Sequence, residues 1–167
     1  MVPSKQPTPD HRNDAIQIAL VGLASGEVAE SILSKLEALR VRNNTFPAEE
    51  LLALASDAIA VSGATPGDPI DFGGIRERFL AEFSFSGKTQ HHKSMYAISA
   101  AAMLHGGVYP DLLGDAAWWQ GDDLWTYSFF ALLLFIRVAA ERTGQPVEEV
   151  VGSIADRRGV TLGMSGS

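Results

Sequence analysis

A chain of 167 residues without cysteine has no disulfides, thiol nucleophiles or thiolate metal sites, and it is long enough to bury about two thirds of its unfolded surface in one domain. Its net charge of −7 disfavours nucleic acid and anionic lipid as general partners, since only a local cluster of basic groups would overcome it. The lack of cysteine fits a reducing compartment, so a cytoplasmic location is expected.

Residues 1–12 carry no apolar run and read as a flexible leader without a secretion signal. Asn13 is then a helix cap, followed by Ile16, Ile18, Leu20, Val21 and Leu23, with a stop near Gly26. A second helix is expected over 27–42, where Val28, Ile32, Leu36 and Leu39 fall at steps of four and three and form one stripe. A third starts at Pro47, with Glu49 and Glu50 complementing the dipole of its first turn, and runs to about residue 62. The stretch "SGATPGDPIDFGG", 62–74, reads as the longest loop and a candidate hinge.

"IRERFLAEF" is a short amphipathic helix with Ile75, Phe79, Leu80 and Phe83 inward and Arg78 placed to pair with Glu82. "SGKT" at 86–89 has the ending of a phosphate-binding loop. The motif needs a glycine where this chain has Glu82, and a buried strand before it, so the stretch reads as a turn between helices. An Ala-rich helix follows over 92–105, and one helical turn is expected around residues 111–119.

The run 124–136 holds thirteen uncharged residues between Asp122, Asp123 and Arg137. Thirteen helical residues span ~20 Å, short of a ~30 Å hydrocarbon core, so the run is expected to be a buried helix and not a membrane span. Its most buried residues should be Phe129, Phe130, Leu133, Leu134 and Ile136, and Arg137 should pair with Glu141 or another acid, or line a cleft. A last helix is expected over 147–158, with a flexible tail over 160–167. The fold class is therefore all-α, a compact bundle of six or seven helices around a central apolar helix at 124–140, forming one domain over 13–159.

Three constellations carry possible chemistry. Arg76, Arg78, Lys88, His91, His92 and Lys93 form a local basic group that suits a phosphate or carboxylate, against the plain reading of a solvated loop. His105, Asp122 and Asp123 are weak metal candidates. On a continuous helix His92 and His105 stand ~20 Å apart and cannot share one ion, so no metal or other cofactor is expected. Trp118 and Trp119, with Tyr109 and Tyr127, are candidates for a protein interface, where aromatic groups dominate the energetics.

Ala140, Gly144 and Val150 have the relative spacing of a bacterial helix-turn-helix, and the segment resembles that motif over about twenty residues. Its second helix opens on Glu148 and Glu149, which repel phosphate, and its basic residues, Arg157 and Arg158, come last. No arrangement of catalytic groups stands out. The expectation is a non-enzymatic interaction module that binds a protein partner or itself as a homodimer. The alternatives are a DNA-binding regulator through 137–158 and a small-molecule or metal-dependent enzyme using the His and Asp groups.

Overall fold

The computed structural model describes residues 9–43, 48–65, 67–82, 88–106, 124–160 and 162. They form seven helices: α1 (Pro9–Ala24), α2 (Ala29–Asn43), α3 (Ala48–Val61), α4 (Phe72–Glu82), α5 (Lys88–His105), α6 (Leu124–Thr143) and α7 (Val147–Arg158). No strand occurs among the described residues, and none of these helices is long and apolar enough to cross a membrane. The all-α bundle expected from helical periodicity is the observed architecture.

The principal contact is between α3 and α6. Leu51, Leu52, Leu54, Ala55, Ala58 and Ile59 of α3 and Phe129, Leu132, Phe135 and Ile136 of α6 are all buried. Small residues bring α5 close to this pair, through Ala97, Ala100 and Ala101, so it packs on α3, α6 and α4. Helix α7 buries Val150, Val151, Ile154 and Ala155, and lies against α1, α3 and α6. Helix α2 leans on α1, where Gly22 allows the approach: a β-carbon there would stand 2.7 Å from Ile32 Cγ1.

Several boundaries differ from the sequence expectation, each for a local reason. Helix α1 begins at Pro9, a residue suited to the first helical position, so Asn13 lies inside the helix and does not cap it. Val28 is not part of the α2 stripe. Its carbonyl accepts from the amides of Ser31 and Ile32 at 3.1 and 3.2 Å, which makes it the N-cap, and its side chain is 68% exposed. Helix α4 starts three residues before Ile75 because Asp71 caps it: Gly74 N–H donates to Asp71 Oδ1 at 3.1 Å. In α6, Phe129, Leu134 and Ile136 are buried as expected, but Phe130 and Leu133 are half-buried and Arg137 is exposed. These three lie at i, i+3 and i+7, so one stripe of the helix faces outward. Leu80 and Phe83, expected inward on α4, lie outside the described side chains, as do residues 111–119.

Helix ends are closed by left-handed glycines. At Gly26 (φ 77°) the Glu27 amide reaches back to Gly22 O at 2.8 Å, and at Gly159 (φ 67°) the Val160 amide reaches Ala155 O at 2.9 Å. Gly144 (φ 70°) makes the turn between α6 and α7.

Candidate binding cleft

The described residues of the 62–71 connection carry no regular secondary structure, yet one side chain fixes them. Arg142, at the end of α6, donates to Ser62 O (3.3 Å), Asp68 O (2.9 Å) and Asp68 Oδ2 (3.0 Å). Thr65 and Asp68 exchange backbone hydrogen bonds at 3.2 and 2.9 Å, closing a tight turn under that guanidinium. The segment read as a candidate hinge is thus tied to the bundle. Beside it, Arg78 grips Glu141 with a two-bonded fork, Nη1 to Oε1 at 2.9 Å and Nη2 to Oε2 at 3.0 Å. Glu82, the expected acid partner for Arg78, has its side chain outside the described ones; the structure brings Glu141 to Arg78 from 63 residues away.

With the connection fixed, the first turn of α4 stands off from the second half of α5 and leaves an open cleft of about 450 Å³. Its walls are Phe72 and Gly73 from α4 and Ile98, Ser99, Ala102 and Met103 from α5, with Arg76 also lining it. Phe72 is held from behind by Phe135, edge to face with ring centres 6.0 Å apart. A second cleft of about 360 Å³ lies on the other side of α4, between Ile70, Ile75, Val138 and the guanidiniums of Arg78 and Arg142.

The basic group read from the sequence is divided by this geometry. Arg76 and Arg78, two residues apart on α4, line different clefts. Lys88, His91, His92 and Lys93 occupy the first turns of α5. Because α5 is continuous, His92 and the exposed His105 stand ~20 Å apart along it. Tyr127 is a correction: it is only 2% exposed and belongs to the core, because the register of α6 turns it toward the interior with Ala131 and Leu134. Tyr109, Trp118, Trp119, Asp122 and Asp123 lie outside the described residues. Glu82 ends α4, so "SGKT" follows a helix and not the strand a phosphate loop requires.

Residues that the sequence reading passed over do much of the positioning. Asp57 is 6% exposed near the end of α3 and accepts from both terminal arginines of α7, with Arg157 Nε at 3.5 Å from Oδ1 and Arg158 Nε against Oδ2. The two cations that a DNA-binding helix would offer to phosphate are therefore directed at an internal acid. Glu27 accepts from the Ser31 hydroxyl and pairs with Lys35 Nζ at 2.8 Å. The Lys35 and Ser31 hydrogen bonds hold its carboxyl below the ordinary glutamate range. The signal in the sequence was a lone Asp in the apolar run "LLALASDAIAV", where a charge needs a partner to be buried. Among the described residues no three His, Asp or Glu side chains converge as a metal site. No protein-family model, curated protein or solved structure matches the chain.

Proposed function

We propose that the chain is a non-catalytic, cytoplasmic interaction module that receives an apolar group of a protein partner, or of a second copy of itself, in the α4–α5 cleft. The observation that carries this reading is Met103. It is a large apolar side chain, 41% exposed, on the wall of an open cleft whose other apolar side chains are Phe72, Ile98 and Ala102. Concave sites of this size with mostly apolar walls are the usual places for an apolar group to lose its water. The ionic groups Asp57, Asp68, Glu141, Arg78 and Arg142 support the reading from another side, because each is engaged in joining elements of the bundle. Trp118 and Trp119 belong to the proposal as further contacts, on the strength of their sequence alone.

The test uses a neutral apolar probe. Titration with n-octanol should shift the methyl resonances of Ile98 and Met103, and Ala102→Trp, which fills the cleft, should abolish the shifts. Octanol that leaves both methyls unmoved overturns the reading. Sedimentation equilibrium then identifies the occupant. A mass that rises with concentration, and falls to the monomer in Met103→Glu, assigns it to a second copy; a constant monomer mass assigns it to a different protein.

A further inference from the structure

We infer that the apolar group received by the α4–α5 cleft carries a carboxylate, its alkyl part on Phe72, Ile98, Ala102 and Met103 and its anionic end on Arg76 and Ser99. The inference rests on the reading of the cleft as an apolar binding site and adds the charge of its ligand.

The argument starts from Arg76. Charged side chains on a helix find partners three or four positions away. For Arg76 those positions are Phe72, Gly73, Phe79 and Leu80, none of them acidic. Among the described residues Arg76 accordingly has no ion-pair or hydrogen-bond partner, although the chain carries 20 Asp and Glu against 13 Lys and Arg. The neighbouring cleft differs in the respect that matters. Its two guanidiniums, Arg78 and Arg142, are already held by Glu141 and Asp68, and Asp71 adds a carboxylate to its wall. An anion entering that cleft would displace an existing pair, whereas at Arg76 it meets an uncommitted cation.

The remaining wall suits the other end of the ligand. Phe72, Ile98, Ala102 and Met103 offer no charge, and methionine adapts its shape to alkyl chains of different outline. Ser99 on α5 lines the same cleft as Arg76 and adds a hydroxyl, a second kind of donor for a carboxylate. A neutral alcohol would gain the apolar contact only. An alkylammonium would gain it against repulsion from Arg76.

The experiment is a matched titration of the full chain with octanoate, n-octanol and octylammonium below their micelle concentrations, followed by the Ile98 and Met103 methyl resonances. Octanoate should bind ~5-fold tighter than octanol or better, the range of a partly exposed Arg–carboxylate pair, and octylammonium more weakly than either. Arg76→Gln should erase the preference for octanoate while leaving octanol binding unchanged. Arg76→Lys should keep part of it; circular dichroism confirms that both variants retain their helices. Equal affinities for octanoate and octanol, or a preference that survives Arg76→Gln, overturn the anionic inference and leave the apolar reading standing. Failure of all three probes to bind overturns both.

Discussion

The carboxylate of Asp57 sits near the C-terminal end of α3, where the helix dipole disfavours negative charge, and almost all of its surface is withdrawn from water. Two guanidiniums compensate for that position, and they come from the last turn of a helix about a hundred residues later. Asp57→Ala should lower stability by ~1–2 kcal/mol, not more, because the freed arginines are themselves partly exposed and can turn to solvent. Thermal denaturation should show a midpoint lower by ~2–8 °C. Glu27 gives a prediction of opposite accessibility. Its carboxyl titrates lower in the folded chain than in the unfolded one, where glutamate titrates near ~4.3. The resulting stabilisation is present above that value and is lost as pH falls through the lower folded value. Wild type should therefore lose stability more steeply below pH ~4.3 than Glu27→Gln does, measured by urea denaturation at stepped pH. Neither residue announces its partner in the sequence. A lone Asp in an apolar run can be recognised as needing a counter-charge, but the choice of Arg157 and Arg158 depends on how α7 docks.

At the scale of the element, the helices were legible wherever apolar residues kept a helical period, as with Ile32, Leu36 and Leu39 of α2 or the leucines of α3. Their starts were not, because a cap is a single polar contact and leaves no period. Phe72-Gly73-Gly74 reads as a loop on propensity, and only the Asp71 carboxylate turns it into a first helical turn. Val28 fits the α2 stripe by spacing, yet it lies one residue before the helix, where its side chain leaves the stripe. Two glycines separate packing from propensity. Gly22→Ala should destabilise by ~1–2 kcal/mol net, since the new methyl meets the buried Ile32 and this overpacking exceeds the helical gain. Gly152→Ala, with open space around its position in α7, should instead stabilise by ~0.5–1 kcal/mol. Chemical denaturation of the pair measures both signs. The clamp at Arg142 acts on a connection without regular structure. Arg142→Ala should leave α6 intact and speed hydrogen exchange at the amides of Thr65 and Asp68, read by NMR.

On the scale of the whole molecule, the sequence disclosed the fold class but not the cleft. An apolar run shows that a helix is buried; it does not show which neighbours stop short of meeting. The opening beside Met103 goes with the early start of α4 at Phe72, capped by Asp71, and with Arg142 and Arg78 holding that side of the bundle to α6. The same long-range logic governs α7. Its apolar residues Val150, Val151 and Ile154 face helices from the first third of the chain, and Asp57 is joined to Arg158 across 101 positions. During synthesis α1 and α3 emerge before α7, so the apolar surface they turn to α7 stays open to water until residues 147–158 have been made. A fragment ending before Val147 should consequently be protease-sensitive and recruit chaperones, while one extended beyond Gly159 should resist digestion.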